Sequence, residues 1–498
     1  MKSYIHLYKT NSEFPTASNG PDYVEPWLSL TEENMTIGYS KPKLIAIAFG
    51  TITWVTDVPS TGGTATKDNC KFKVYGNYDN GTSVDISSDA IVTGELVVSS
   101  STEGQRHEAG QLTLTASYSG LTAKGNVTAY QAADFSTKPL TFNILSAGTI
   151  NWAASNSSVT KIIEYKINDG GWTSITSNTD SSAPSIEVNS NDKIQFRGNN
   201  AQYATGSSAY NSFSGSTALF EVEGNIMSLI YEDDFKNNST ISSNYAFYGL
   251  FKYCTKLVSA ENLVLPATTL TSYCYGSMFN RCKSLTTAPE LPATNSAYGC
   301  YDNMFYGCTK LTTAPSVLPA NTLLDGCYHQ MFYGCTSLTT APKLPATTLA
   351  EGCYQSMFNG CTSLTTAPAL PATTLAMDCY RHMFDGCTSL TTAPKELPAT
   401  TLTNYCYFNM FNGCTSLTTA PELPATTLAE GCYQFMFNGC TSLNYIKCLA
   451  TDISVSGICT YDWVRGVAST GTFIKAAGMT GWSEDENGIP LGWTVQDA

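Results

Sequence analysis

The first half of the chain alternates apolar and polar residues in short runs, the pattern of strands half-buried in a sheet. Between residues 41 and 133, the segments KFKVYGNY and TSVDISS flank Asp79-Asn80-Gly81, which is typical of a β-hairpin turn. Residues 134 to about 232 continue with LTFNIL, TINWAA, IIEYKIN, WTSITS and IEVNSNDKIQFRG. The pattern therefore predicts two successive β-rich domains, at 41–133 and 134–232.

From residue 254 onward the pattern becomes a repeat of 26 to 28 residues, C-Y-x-x-M-F-x-G-C-T-S-L-T-T-A-P-x-L-P-A-T-T-L. Extra residues fall between Ala-Pro and Leu-Pro, as in APSVLP at Ala314, which indicates a solvent-exposed loop. Eight copies of one structural unit predict a solenoid over residues 233–450. The second cysteines of the eight units are Cys254, Cys282, Cys308, Cys335, Cys361, Cys387, Cys414 and Cys440.

Within a unit, the segment from the first cysteine to the glycine is predicted to be a short helix, because at 100° per residue its apolar residues fall on one side. Those residues are Cys353, Tyr354, Met357, Phe358 and Cys361 in one unit. Thr348 and Glu351 would form a capping box, and Gly360 would take the left-handed position after the helix. The LTTA segment at 364–367 is predicted to be a strand of about four residues in a parallel ladder.

These repeats resemble the leucine-rich repeats of the BspA or Treponema type, whose units carry an A-F-x-x-C-x-x-L core followed by a short strand and a proline. The matching residues here are M-F-x-G-C-T-S-L-T-T-A-P, in eight copies over about 40% of the chain. The units are longer than the common pattern, Met replaces Ala before Phe, and a second Cys opens the predicted helix. The resemblance implies a solenoid of strand, loop and helix.

The domain at 41–133 resembles bacterial Ig-like domains. Their tyrosine-bearing strand, Asn-Gly turn and closing L-T-A-x-Y-x-G segment match Tyr75, Gly81 and residues 114–120. The first forty residues, with YVEPW and IGYSKP, look like the leader that precedes Ig-like and repeat domains in many proteins of gut Bacteroidetes and their phages. The repeat decays after Cys440 into a tail with Trp463, Trp482 and Trp493, which is expected to cap the last unit.

The predicted fold is therefore multidomain, with N-terminal all-β, Ig-like β-sandwiches followed by an α/β leucine-rich-repeat solenoid. The expected segments are an attachment segment at 1–40, the Ig-like sandwich at 41–133, the second small β-domain at 134–232, the solenoid at 233–450 and the cap at 451–498.

Composition and charge narrow the classes of partner. The formal net charge is −14, so a nucleic acid or an anionic membrane would bind against net repulsion, and neither is expected as a partner. No window reaches 18 consecutive apolar residues, so membrane insertion is not expected either. The N-terminal twenty residues lack an apolar segment typical of a signal peptide, which predicts folding in a cytoplasm.

Of the 18 cysteines, only Cys70 precedes residue 254. The two cysteines of a unit lie eight residues apart, which along a helix is about 12 Å and too far for a disulfide, whose Cα atoms lie within about 7 Å. Small, buried, reduced thiols that resist labelling in the native protein are therefore expected. Disulfides between units and metal binding are the alternatives.

No catalytic constellation is recognised, and neither a cofactor nor a metal is expected. The four histidines are His6, His107, His329 and His382. His329 and His382 fall on the polar side of the predicted helices without a partner carboxylate at fixed spacing, which predicts solvated side chains. The acidic runs Glu232-Asp233-Asp234 and Glu484-Asp485-Glu486 lack the alternating ligands of a calcium loop and are expected to be solvated.

The repeats differ from one another mainly at the two positions between Tyr and Met. Free drift of exposed residues and adaptation to a ligand both explain this variation, and exposed aromatics in neighbouring units favour the ligand. The predicted ligand-binding residues are Arg381, His382, Phe408, Asn409, Gln434 and Phe435. The uniform Thr pairs, such as Thr339-Thr340, are the alternative surface, either for a sugar or as a trace of duplication.

These features predict a non-enzymatic, virion-associated structural or adhesion protein, such as a phage head or tail fibre or a capsid decoration. The N-terminus would attach to virion proteins through Tyr4, Phe14, Tyr23 and Trp27, and the repeats would bind a host surface protein or glycan. A homo-oligomer, for example a trimer, fits this role. The alternatives are a BspA-like adhesin on a bacterial cell surface and a glycan-active enzyme. The missing signal peptide favours the virion.

Overall fold

A computed structural model describes residues 25–30, 35–40, 44–49, 51–55, 63–78, 82–98, 107–131, 134–179, 182–454 and 458–498. The chain divides into two compact units, Met1–Asp134 and Phe135–Ala498, called unit 1 and unit 2. Strands predominate in both. Over the described ranges the only α-helix is α1, Ser228–Tyr231. The protein is therefore mostly β, and the helical half of the predicted α/β solenoid is not found.

Unit 1 is built from short antiparallel strands, as its alternating sequence predicts. Its strands are β1 Glu25–Leu30, β2 Met35–Ser40, β3 Leu44–Phe49, β4 Thr53–Trp54, β5 Gly63–Thr66, β6 Cys70–Lys71, β7 Val74–Tyr78, β8 Ser83–Asp85, β9 Ile91–Thr93, β10 Glu95–Val98, β11 His107–Tyr118 and β12 Leu121–Gln131. β7 pairs with β3 and β8, β11 pairs with β9 and β12, and β1–β2, β4–β6 and β5–β10 form two-stranded sheets. The predicted hairpin at 74–85 is confirmed by the β7–β8 pairing.

The core of unit 1 follows from the period of two in its strands. In β11, Leu112, Leu114 and Ala116 alternate with polar residues, and all three are buried. They pack in one cluster with Ile47 of β3 and Val74 of β7.

Unit 2 begins with a second strand-rich segment, again as predicted. The strands are β13 Leu140–Ile144, β14 Gly148–Asn151, β15 Ala153–Ala154, β16 Ile162–Ile167, β17 Thr173–Thr176, β18 Asn178–Thr179, β19 Ser185–Val188, β20 Lys193–Arg197, β21 Ala204–Gly206, β22 Ala209–Ser212 and β23 Phe220–Asn225. Five of them form a sheet in the order β17-β16-β20-β13-β23, around the buried Phe142 and Phe196.

The repeats continue directly from this sheet. The strand of the first repeat, β24 at Leu257–Val264, pairs in parallel with β23. One continuous apolar cluster runs from Leu140 through the repeats to Trp493. Residues 135–498 thus share a single core.

The predicted helix within each repeat is wrong. Residues 353–361 form overlapping turns in which every second amide bonds three residues back, for example Gln355 N to Gly352 O at 3.1 Å. The amides between them bond to the next repeat, as Tyr354 N does to Cys379 O at 3.0 Å. A backbone with positive φ recurs every fourth residue, at Gly352 (56°), Ser356 (54°) and Gly360 (71°).

This arrangement explains why no helix forms. In an α-helix every residue has the negative φ of the right-handed conformation, and each amide N–H bonds to the carbonyl four residues earlier in the same chain. The repeat instead directs half of its amides across to the neighbouring unit, so the ladder between units satisfies the backbone. Gly360 is left-handed as predicted, but Thr348 forms parallel bridges with Thr322 and Thr374 rather than a helix cap.

The predicted strand of about four residues is reduced to single parallel bridges. Thr340 bridges to Thr366, and Thr366 to Thr392. A second row of bridges joins Thr322, Thr348 and Thr374 farther along each unit. The parallel stacking of the units is therefore confirmed, but each contact is one residue long.

The C-terminal end of the repeats is covered by a three-stranded parallel sheet of β25 Tyr445–Cys448, β26 Thr472–Lys475 and β27 Thr494–Asp497. Trp463, which is fully buried, lies 6.1 Å from the ring of Phe437 and stacks on Trp482 at 5.5 Å. The large indole rings close the apolar face that the last repeat would otherwise leave open.

Candidate functional site

Two stacked columns of aromatic rings hold the repeats in register. The Tyr column runs from Tyr275 to Tyr433. The Phe column runs from Phe251 to Phe437, and the centroids of its neighbouring rings lie 5.3 to 5.7 Å apart. Three variable positions flank these columns: the first and second lie between Tyr and Met, and the third lies between Phe and Gly. The side of the repeats that carries them is called the turn face. Because the columns are regular, equivalent side chains of successive units become neighbours.

The second variable position always has a left-handed backbone. From Ser277 to Phe435 its φ lies between 51° and 56°, although none of these residues is glycine. A side chain in this conformation costs roughly 1–2 kcal/mol. The cost is greatest for a bulky residue such as Phe435, since Asn and Gly adopt this conformation more readily.

The predicted ligand-binding residues come together in one cluster, called the aromatic cluster. Arg381 Cζ lies 4.8 Å from the ring centroid of Phe408, and the His382 ring packs edge-on against Phe408 at 5.4 Å. Phe408 meets Phe435 edge-to-face at 5.7 Å. Backbone bonds tie the units together here, with Asn409 N donating to Gln434 O at 3.0 Å.

Two tyrosines that sequence reasoning missed extend this cluster. Tyr405 packs against Phe408 at 6.0 Å, and Tyr461, which is 46% exposed, packs against Phe435 at 5.5 Å. Tyr461 lies in the cap, where the repeat motif is too degraded to be aligned with the other units from the sequence. The signal for Tyr405 is its place directly before the first cysteine of its unit.

The expectation of fully outward side chains is corrected. Phe408 and Phe435 are half-buried because each covers the edge of the next ring. Ser356, at the second variable position, is only 5% exposed. Variation at these positions is therefore constrained by packing between units as well as by any ligand.

The expectation that the repeat histidines lack carboxylate partners is wrong. His382 Nδ1 lies 2.8 Å from Asp385 Oδ2, and His329 Nδ1 lies 2.7 Å from Asp302 Oδ1. The Asp385 carboxylate also accepts a bond from Asn412 Nδ2 at 2.9 Å. Arg381 Nη1 donates to Asp378 at 3.2 Å. These pairs fix the orientation of the imidazole and guanidinium groups around the aromatic rings.

The Thr pairs lie on a different side of the repeats, called the threonine face, and several of their hydroxyls are already bonded. Thr312 Oγ1 donates to Thr286 O at 3.1 Å, and Thr391 Oγ1 to Thr365 O at 3.2 Å. A shallow depression of about 500 Å³ lies on this face between Thr339-Thr340 and Thr365-Thr366, with prolines on its walls.

All 18 cysteines carry free thiols, and 17 of them are buried. From the second unit on, the second cysteine of each unit donates its thiol hydrogen to the Phe carbonyl of the preceding unit, as Cys361 does to Phe332 O at 3.1 Å. Equivalent bonds from Cys282 to Cys440 span 2.9 to 3.2 Å. Burial raises the pKa of Cys361 to about 12. The burial is as predicted, although the helical spacing argument against disulfides no longer applies.

Three of the four predicted attachment residues lie outside the described residues: Tyr4, Phe14 and Tyr23. Trp27 lies in β1, where its backbone is opposite Gly38 of β2. Attachment through these residues stays a prediction.

Among the described residues, no helix has the length and apolar character required to cross a membrane. Within the same ranges, no three His, Cys, Asp or Glu side chains converge in a way that could hold a metal ion.

Comparison with known proteins gives little further information. No protein-family model matches the chain, and no curated protein matches it. Among solved structures, the chain is similar to a leucine-rich repeat protein of T. pallidum, with 16% sequence identity over 45% of this chain and 75% of that one and a TM-score of 0.19. That agreement is too low to support any argument about function, which therefore depends on the residues themselves.

Proposed function

We propose that this protein is a non-enzymatic adhesion protein of a virion that uses the turn face of BspA-type leucine-rich repeats to bind a host surface protein or glycan. The observation that carries the proposal is the aromatic cluster around Phe408 and Phe435. Aromatic rings and an arginine held in fixed geometry on a rigid surface are characteristic of binding hot spots. Three successive units and the cap contribute to the cluster, so a ligand would contact side chains that need little further ordering.

The left-handed conformation of Phe435 supports the same proposal. A bulky residue persists in a costly backbone conformation although Asn409 and Asn303 occupy the equivalent position in other units. Strain retained at one position of a repeat favours a functional role for its side chain.

The test replaces both phenylalanines by residues that the protein already uses at those positions, Phe408→Gln and Phe435→Asn. Because Gln355 and Asn409 occupy the same positions in other units, the variant should fold and melt within a few degrees of the parent. We expect its affinity for host cells to fall about tenfold or more, since loss of a hot-spot aromatic costs about 2 kcal/mol. Gln355→Ala is the matched control, because it changes a first variable position outside the cluster.

If the double variant binds host cells as tightly as the parent, the turn face is not the binding surface. Because residues 135–498 share one core, the truncation that tests unit 1 must remove all of them. Host binding by residues 1–134 alone would assign recognition to unit 1, for which we propose the Ig-like sandwich fold on the resemblance at Tyr75 and residues 114–120.

Attachment to the virion through residues 1–40 is part of the same proposal, since that segment carries Tyr4, Phe14, Tyr23 and Trp27 in too short a stretch to build a core of its own. Deletion of the segment should give a folded protein that no longer joins the particle. Detection of the chain on bacterial cells and not on particles would favour the BspA-like surface adhesin instead, and turnover of a polysaccharide by the purified protein would favour an enzyme.

A further inference from the structure

The first two repeats break a rule that all later repeats obey. The position before the second cysteine is glycine in six successive units, from Gly307 to Gly439, with φ between 67° and 74°. In the first two units the residues there are Tyr253 and Arg281, with φ of 64° and 59°. Both side chains are kept where the backbone favours glycine, and they occur in adjacent units.

These exceptions build a small cationic patch framed by tyrosines, called the basic patch. Arg281 Cζ lies 5.7 Å from the Tyr253 ring centroid and 5.9 Å from that of Tyr306. Lys252 Nζ lies 5.6 Å from the Tyr253 centroid on the same surface. The bare Cα of Gly307 leaves room for the arginine stem, because a Cβ there would lie 3.3 Å from Arg281 Cγ.

No carboxylate of the described residues pairs directly with the cations of this patch. Among the described residues no carboxylate lies within 4.0 Å of either Lys252 or Arg281, whereas Arg381, Arg465 and Lys447 each have one. Burial lowers the pKa of Lys252, and the Arg281 charge lowers it further, against a weaker opposing effect of Asp302. Two adjacent cations that repel each other, in a chain of net charge −14, would be stabilised by a bound anion.

We propose that Lys252 and Arg281 bind the carboxylate or sulfate groups of an acidic polysaccharide, whose sugar rings pack against Tyr253 and Tyr306. The fork of the guanidinium matches either oxyanion. Tyr253 is 42% exposed and offers an apolar face with a polar tip, which suits a sugar ring better than a bare ion. The basic patch lies in the first two units and the aromatic cluster in the last ones, so this inference does not depend on the function proposed above.

The test measures binding of the full-length protein to three polymers: polygalacturonate for carboxylate, dextran sulfate for sulfate, and uncharged dextran as the neutral reference. Arg281→Gly restores the residue of six other units, so it should fold at least as well as the parent. We expect it to weaken binding to one or both acidic polymers about tenfold or more, because a hydrogen bond between charged groups is lost. The polymer that is affected identifies the oxyanion.

Two further variants separate the basic patch from general electrostatics. Arg281→Lys keeps the charge but loses the guanidinium fork, so its affinity should lie between those of the parent and Arg281→Gly. Arg465→Gln removes an ion-paired cation in the cap and should have no effect. Equal binding by the parent and Arg281→Gly, or an equal loss in Arg465→Gln, would overturn the proposal. So would equally tight binding of uncharged dextran, or tighter binding of poly-aspartate than of either acidic polymer. The Phe408→Gln, Phe435→Asn variant should bind the acidic polymers normally, so the two proposals can fail separately.

Discussion

The turn face and the threonine face belong to the same repeats but satisfy their backbone groups differently. On the turn face, alternate amides bond within the unit and across to the next one, so the backbone needs little help from variable side chains. On the threonine face the units share one bridge at a time, and hydroxyls such as that of Thr391 supply additional bonds to the neighbouring carbonyl. Where the backbone groups bond to one another without help from side chains, the side chains vary between units. Where side chains complete the bonding, they are uniform.

This difference gives the uniform Thr pairs a structural explanation, which duplication alone does not. It also shows why variation is concentrated between Tyr and Met, where no side chain is needed to satisfy a backbone amide or carbonyl. The second cysteine is uniform on the turn face, and from the second unit on its thiol bonds to a Phe carbonyl of the preceding unit.

The largest expected effect is alkaline unfolding through the buried thiols of the turn face. Burial raises their pKa above the unfolded value of about 8.5, so their contribution to stability is complete below that value and is lost as pH rises toward the folded pKa, about 12 for Cys308 and Cys361. Seven bonded thiols lower the free energy of unfolding by about 10 kcal/mol for each pH unit above about 8.5.

Since this loss matches the whole stability of a typical domain, unit 2 should unfold near pH 10. Urea denaturation under reducing conditions, followed by circular dichroism from pH 7 to pH 10, measures it. The threonine face contributes nothing to this effect because its hydroxyls do not titrate. A constant free energy of unfolding across that range would show that the thiols are not the buried donors described here.

The second prediction concerns the Phe column. Phe358 is fully buried and stacks on Phe332 and Phe384 at 5.6 Å on both sides. Phe358→Ala should destabilise unit 2 by about 3–5 kcal/mol, because the cavity cannot collapse within a rigid stack. Gln355→Ala, three residues earlier at a variable position, should change stability by less than about 0.5 kcal/mol. Equal effects would remove the distinction between the packed and variable residues of the turn face.

The repeat, its register and its buried residues could be predicted from the sequence, but the helix could not be excluded. Positions such as Cys353, Phe358 and Cys361 lie on one side of a helix with a period of 3.6 residues. They also lie on one side of a turn ribbon with a period of 4. Over nine residues the two periods diverge by about 80°, which is too little to move a residue to the opposite side. A helix and a turn ribbon are distinguished by which carbonyl each amide N–H bonds to, and this depends on the neighbouring unit.

The candidate site was predictable where units could be compared residue by residue. Phe408 and Phe435 were found because aligned repeats differ there, and their contact with each other follows from the stacking. The half-burial of Phe408 and Phe435 was not predictable, because it depends on how each ring packs against the next unit. Arg281 was missed although its signal is visible in the sequence, where RC replaces the usual GC before the same segment.

The third prediction tests the hydroxyl bonds of the threonine face. Thr391→Val keeps the shape of the side chain but removes the donor to Thr365 O, which should cost about 1 kcal/mol of stability. The control, Thr392→Val, changes the adjacent residue, which bridges to Thr366 through its backbone, and should be nearly neutral. Urea denaturation at neutral pH distinguishes them. If both variants match the parent, the uniformity of the Thr pairs needs another explanation.

The smallest expected effect is a gain in stability on the turn face. Gln330 occupies a second variable position with φ of 51°, where its side chain is strained and glycine is not. Gln330→Gly should raise the free energy of unfolding by about 0.5–1 kcal/mol, since relief of the strain exceeds the greater freedom of glycine in the unfolded chain. Gln355→Gly, at a first variable position without positive φ, gains no such relief and should lower stability by about as much. Thermal melts of the two variants therefore shift in opposite directions if the turn ribbon is correct. If the segment were helical, glycine would destabilise it at both positions, and the two melts would shift down together.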